Sequence, residues 1–572
     1  MTTDRSVRSR RSGSAAHRAA PGRRRTVPLA YPLLGLVALL PLLPVLVLPY
    51  VPTIDGPAHV LDAYVLARYD DPDQAALRQA YVVTAAPTPN LLSQVLLASL
   101  LGVLSPASAE KVYVVAVVAL FGVAAAYAVR AVSRRNSLLA ALAAPLATGY
   151  FFYFGFYNFV LGTGLFLLTT GYVLRHRGTW TPRRTAVLLV LLMLTASAHL
   201  LPFGMAALTI GMTVLVDLVT AARQDRADST GTARRLPRAL RQQVLPLVAA
   251  MVLPAALSVL FLLRSDNVQG LGTEELPTST GPSAFSVNQL LRSSIGLVTV
   301  YTWQELGLGL LLLTGLAVLL LLGTRDLLRE RRRSAPVPPL LVPLVAMLLL
   351  CVALYTVFPS TVGTLAYIRP RFGLFAVLFA VLVVAALPQQ RRAATAASCI
   401  AVVVAVGLPI VRHAPQRAVV QDLQEYASVS DVLPRGSTFV TFRAWLDTSP
   451  VLEDGYYDPT SHQASRVAMA SETVQLNHLD GRYDYFPAHF RDLDQLGVLV
   501  TDLDEPRQWR RLLEDAPGGT GPDHVLVWGR QRAGAELLQQ PDYAEAKELL
   551  DAQYRRIWVS EPAGLLEAYR RR

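Results

Sequence analysis

The segment Val27-Pro-Leu-Ala-Tyr-Pro-Leu-Leu-Gly-Leu-Val-Ala-Leu-Leu-Pro-Leu-Leu-Pro-Val-Leu-Val-Leu-Pro-Tyr50 runs directly into Val51-Pro-Thr-Ile-Asp55-Gly-Pro-Ala-His59-Val-Leu-Asp62. Its first part holds no charged residue and exceeds the ~7–15 apolar residues of a secretory signal. No small-x-small cleavage pattern follows it. Eight arginines precede it, from Arg5 to Arg25. The segment reads as an uncleaved first span with its N-terminus in the cytoplasm, held there by a topogenic patch of positive charge. Residues 1–27 read as a disordered basic tail.

The rest of the 572 residues extends this reading. The chain is 52% hydrophobic and only 16% charged, where a soluble domain carries about a quarter charged residues. Mean hydropathy is +0.37. This excludes a soluble enzyme, a disordered protein and a disulfide scaffold. Cys351 and Cys399 both lie in apolar runs and form no metal-binding pair. The net charge of +12 is unevenly spread: residues 1–411 hold 35 basic and 16 acidic side chains, residues 412–572 hold 18 and 25. The excess therefore lies between apolar segments, where topology explains it and nucleic acid does not.

Further apolar runs lie near 111–132, 137–154, 157–174, 185–200, 203–220, 244–263, 306–323, 339–358, 372–388 and 394–411. Each approaches the ~17–25 residues of a spanning helix. With the first they make eleven. The run 90–105 is short and flanked by Pro89 and Pro106. Read as an interfacial helix, it leaves 28 basic residues on one side of the membrane and seven on the other before residue 412. The positive-inside rule selects that arrangement and puts the chain's end outside. The expected fold is an all-α polytopic membrane domain over 28–411, with interfacial helices in an outer loop at 51–110. A small α/β extracytoplasmic domain over 412–572 follows. Its expected strands are 437–442, 497–501 and 524–528, and its expected helices are 421–428 and 544–552. The setting is a plasma membrane, and the excess of Arg over Lys fits a bacterial, GC-rich source.

Chemistry outside the bilayer must come from the outer loops. Asp55, His59 and Asp62 recur at i, i+4 and i+7, which is one face of a helix. Asp55 also suits a helix N-cap, with Pro57 in the first turn. A carboxylate at the mouth of the first span is equally suited to act as a general base on a substrate hydroxyl. His59 could orient that carboxylate, contact a phosphate or join a metal site. The carboxylate–His–carboxylate face is a candidate for a divalent cation, although no metal is assigned on three residues.

One long span, an outer loop opening on an acidic motif, the stretch Ala86-Pro-Thr-Pro-Asn-Leu-Leu-Ser-Gln94, and Ser108-Ala-Glu-Lys111 leading into the next span resemble the GT-C superfamily of membrane glycosyltransferases. The protein mannosyltransferase and aminoarabinose transferase types belong to it. The likeness covers 28–411 as architecture and 55–111 at residue level. It implies a polyprenyl-phosphate-linked sugar donor, a glycan, lipid or protein acceptor, and Asp55 as catalytic base. Many members carry two adjacent acidic residues here, whereas Asp55 is followed by Gly56. The pattern Gly155-Phe-Tyr-Asn-Phe159 also resembles bacterial membrane proteins distantly related to that superfamily.

Other outer residues complete the candidate set. Arg369 and Arg371 suit a lipid phosphate, since guanidinium forks bind phosphate oxygens. They also suit interfacial snorkelling. His199 lies at a bend, as a functional ionisable group or a turn histidine. Tyr157 and Asn158 are candidates for satisfying backbone groups or contacting a sugar. The stretch holding His462, His478, Asp480, Tyr483–Phe486 and His489 reads as a carbohydrate- or partner-facing surface. The span interiors are almost free of charge, which argues against ion-coupled transport. The alternatives to glycosyl transfer are therefore lipid handling, as in a flippase, and a non-catalytic scaffold in cell-envelope assembly.

Overall fold

The computed structural model describes residues 30–84, 87–227, 235–265, 287–334, 336–360, 367–445, 457–478, 480–491, 505–514 and 521–572. The expected strand at 497–501 lies outside them. The chain is mostly helical. Seven helices are long and apolar enough to cross a membrane: Pro106–Val132, Tyr157–His176, Leu200–Arg226, Leu236–Arg264, Trp303–Arg332, Ile368–Ala386 and Arg391–Asp431. Many of their apolar side chains face outward, Leu215, Leu253, Leu263, Leu321 and Ile410 among them. Bilayer hydrocarbon is the environment that such surfaces match.

The remaining apolar runs are shorter or irregular for identifiable reasons. The first divides into Ala30–Leu39, a 3₁₀ turn Leu40–Leu42 and Leu43–Val47. Pro41 and Pro44 each remove a backbone donor and crowd the preceding turn. The run expected as an α-helical span at 137–154 is instead a 3₁₀ helix, Ser137–Thr148, followed by Tyr150–Tyr153. Leu139 to Leu146 are all buried among other helices, so packing overrides local preference here. Pro182–Ala198 and Leu341–Val357 are helices of 17 residues. The 90–105 run is the 11-residue helix Leu91–Leu101, about 16 Å long and too short to cross a bilayer.

Near the C-terminus lies a five-stranded sheet of order β3-β2-β5-β7-β6. Its strands are β2 Thr438–Arg443, β3 Val474–Gln475, β5 His524–Trp528, β6 Tyr554–Val559 and β7 Leu566–Arg571. β3, β2 and β5 run parallel, and β7 and β6 add antiparallel edges. The sequence boundary at 411/412 falls inside one continuous helix, Arg391–Ala427. Polarity rises there but the backbone does not break, because a fall in hydropathy ends a membrane span and not a helix.

The terminal region also folds back on the 51–110 loop. β1 (Tyr81–Val83) pairs antiparallel with β4 (Ala488–Phe490), with Val82 opposite His489. The loop's own helices are Gly56–Arg68, Ala75–Ala80 and Leu91–Leu101.

Candidate functional site

Asp55 is fixed by a backbone cradle. The N–H groups of Ile54 and Asp55 donate to the carbonyls of Tyr153 (3.1 Å) and Phe154 (2.9 Å). Two glycines permit this approach. Gly155 has φ +86°, and a Cβ there would lie 2.3 Å from the Gly56 nitrogen and 2.6 Å from that of Asp55. A Cβ on Gly56 would meet Thr53 Oγ1 at 2.2 Å and the Tyr157 hydroxyl at 2.5 Å. Only glycine fits either position. The buried Tyr157 hydroxyl donates to Glu110 at 2.9 Å and lies 2.9 Å from Thr53 Oγ1. Tyr157 is therefore a strut beneath the loop. Glu110 in turn pairs with Arg466 of the terminal region at 2.7 Å, and Arg466 also donates to the Val51 carbonyl at 3.0 Å.

Asp55 occupies the N-cap position of Gly56–Arg68, yet its side chain makes no cap hydrogen bond. An N-cap carboxylate accepts from the second or third helical N–H. Here the second helical residue is Pro57, which has none. The carboxylate turns instead to His462, with Oδ1 3.4 Å from Nε2, and its side chain stays 17% exposed. Arg371 and Tyr485 lie within electrostatic reach of it.

His59 and Asp62 go elsewhere. Both are buried and point to Asp480, which lies in a short 3₁₀ turn of the terminal region. His59 Nδ1 lies 2.5 Å from the Asp480 carboxylate. Burial alone would lower the His59 pKa, but Asp480, helped by Asp55 and Glu110, outweighs it and the net shift is upward. Burial, reinforced by Asp480, holds the Asp62 carboxyl well above the usual range. Two carboxyls and an imidazole thus lie together in a buried pocket, with His59 paired to Asp480. Phe486 covers His59 at a ring distance of 5.4 Å. His478 lies alongside, its Nε2 3.1 Å from the Ala58 carbonyl and its Nδ1 3.2 Å from the Tyr81 hydroxyl. Burial pushes His478 down to about 4.

The expected common face of Asp55, His59 and Asp62 is therefore split between two partners. The candidate cation site on it is not formed: Asp55 faces His462 while His59 and Asp62 face Asp480. Among the described residues no group of three His, Cys, Asp or Glu side chains is disposed to hold a metal ion.

The arginine pair also divides. Arg371 stacks between Phe156 and Phe159, at 4.9 and 5.2 Å from their ring centres, on the Asp55 side. Arg369 is buried, and its Nε donates to the Phe358 carbonyl at 3.1 Å, joining the ends of two neighbouring helices. His199 packs against Phe159 at 5.4 Å, within electrostatic reach of Arg371. Its Nδ1 accepts the Leu201 N–H at 3.1 Å, so it also shapes the turn into the next helix. Asn158 is consumed structurally: Nδ2 donates to Asn90 at 2.6 Å, and Oδ1 accepts the Phe159 N–H at 2.8 Å.

Asp55, Arg371, His199 and Tyr157 thus gather around one corner at the end of the helix Ile368–Ala386, and His59 and Asp62 lie beside it. Sequence reasoning noted His462 and Asp480 but not their attachment to the first loop. It quoted Glu110 within Ser108–Lys111 but gave it no role, although an acid in the second turn of a 27-residue apolar helix is a local signal. Compared with known proteins, this chain matches no family model and no curated protein.

Proposed function

We propose that the protein is a membrane glycosyltransferase of GT-C type acting on the outer face of the plasma membrane. The topology has eleven crossings, a cytoplasmic N-terminus and an extracytoplasmic terminal domain. The basic-residue asymmetry supports that orientation. The 3₁₀ segment supports the count: at about 2.0 Å per residue its twelve residues, with the helical turn after them, extend about 30 Å, the thickness of the hydrocarbon core.

The observation carrying the reading is an uncapped, partly exposed carboxylate within electrostatic reach of a stacked guanidinium at the mouth of the first span. Asp55 takes the proton of an acceptor hydroxyl as that oxygen bonds to the anomeric carbon of the sugar. The bond from that carbon to the phosphate oxygen breaks. The polyprenyl phosphate leaves with the electron pair, and Arg371 stabilises its charge. The donor's lipid tail stays in the bilayer throughout.

Membranes bearing the wild type or Asp55→Asn, given undecaprenyl-phosphate-linked glucose, mannose, galactose and arabinose in turn, test this. Transfer by the wild type and a loss of about 100-fold or more in the variant are expected. Equal transfer at equal protein abundance removes the catalytic assignment and leaves lipid handling or a scaffold role.

A further inference from the structure

The base of a transferase must present one oxygen to its substrate, and an N-cap aspartate ordinarily turns that oxygen back on its own helix. Asp55-Gly56-Pro57 weakens that alternative by deleting one of the two competing donors. The partner it faces instead is a residue 407 positions later in the chain, His462, 3.4 Å away and more deeply buried than Asp55 itself. Among the described residues no hydrogen bond ties either carboxylate oxygen to the helix it caps, and the approach of His462 is an ion-pair contact.

His462 is carried on a turn that is locked twice. Asp458 accepts from the Thr460 N–H at 2.9 Å and its hydroxyl at 2.6 Å, and pairs with Arg443 at 3.0 Å. The same stretch grips the chain just before Asp55. The Tyr457 hydroxyl donates to the Pro52 carbonyl, and Arg466 donates to that of Val51 at 3.0 Å. Residues 457–466 thus clasp 51–55 at three points. The middle contact falls on the partly exposed carboxylate of Asp55.

We propose that His462 is the positioning residue of Asp55. Its Nε2–H holds one carboxylate oxygen so that the other faces the acceptor hydroxyl, and the site is incomplete until the terminal segment docks. This rests on the glycosyltransferase reading and adds to it a requirement for the far end of the chain. Neutral imidazole is the working form: a second ring proton would turn the contact into an ion pair and weaken the base. Among the described residues the titratable groups facing His462 include Asp55 from the loop and His478 from the segment after β3, while Asp458 on its own turn is engaged by Arg443.

Full-length protein in membranes, with the four undecaprenyl-phosphate sugars as probes, tests this with His462→Leu, His462→Gln and Asp55→Asn. Glutamine keeps a donor at this place and leucine does not. Transfer is expected to fall about 10–100-fold in the leucine variant and to stay within about threefold of wild type with glutamine. On acidification through the imidazole range the wild type is expected to lose rate, and the glutamine variant to hold it. Wild-type rates in both His462 variants, with Asp55→Asn inactive, overturn the positioning role and leave the transferase reading intact. Equal losses in both at normal abundance reduce His462 to a docking contact and also overturn it. Should the leucine variant be absent from the membrane, the glutamine pH profile decides, and one superimposable on wild type is fatal. An unaffected Asp55→Asn removes the transferase reading itself.

Discussion

The imidazole of His59 and the carboxylate of Asp480 are 421 residues apart in the chain and 2.5 Å apart in the fold. This contact ties the helix that begins at Asp55 to the terminal region. It lies in a closed pocket with Asp62, so its strength depends on where protons reside.

His59 and Asp62 both titrate higher in the fold than free. The folded state therefore holds their protons more tightly, and their contribution is present at low pH and fades as pH rises through the raised values. His478, held at about 4, acts in the opposite sense: its contribution is complete above the ordinary imidazole range and is lost as pH falls from there toward 4. Docking of the terminal region should be firmest between these limits. Hydrogen exchange at β1 and β4 as a function of pH measures it. Asp62→Asn, which mimics the protonated acid, should keep the fold and flatten the alkaline side, and an unaltered alkaline loss contradicts the assignment.

Gly155→Ala forces a methyl group into the backbone at Asp55 and a left-handed residue away from glycine. Strain of this kind costs about 1–3 kcal/mol before the clash is counted. A lowered melting temperature in detergent and lost transfer are expected together. A variant with wild-type stability would mean that the cradle yields more easily than the distances imply.

Glu110 and Arg466 form a fully enclosed ion pair. Removing one partner strands a buried charge, at a cost of about 3–5 kcal/mol. Glu110→Gln should destabilise strongly. Arg466→Met added to it should restore part of the loss. Thermal unfolding across the double-mutant cycle checks this, and additive losses would deny the coupling.

Arg369 and Arg371 should separate by phenotype. Arg371→Met should weaken lipid-phosphate donor binding by about tenfold or more with little change in melting temperature. Arg369→Met should lower the melting temperature, because Arg369 bridges helix ends through the Phe358 carbonyl. Donor KM and detergent melts on both variants decide, and the reverse pattern refutes the division of roles.

Composition and apolar run length were enough to establish a helical chain embedded in a membrane, because burial in hydrocarbon demands long uncharged helices whatever surrounds them. The strand at 524–528 was equally local, since its apolar β-branched residues need only a neighbouring strand. The helix at 544–552 belongs to the same class. The sequence also drew attention to Asp55, through its place after the first apolar run. It could not say what Asp55 faces. Helical spacing puts Asp55, His59 and Asp62 on one side, but the partners that divide them, His462 and Asp480, arrive from the far end of the chain. The same holds for Arg369 and Arg371, two residues apart and sent to different tasks, and for the 3₁₀ form of 137–148. Periodicity is a property of neighbours along the backbone. The state of a carboxylate or guanidinium depends on what the fold brings against it, and that is decided only when distant segments pack.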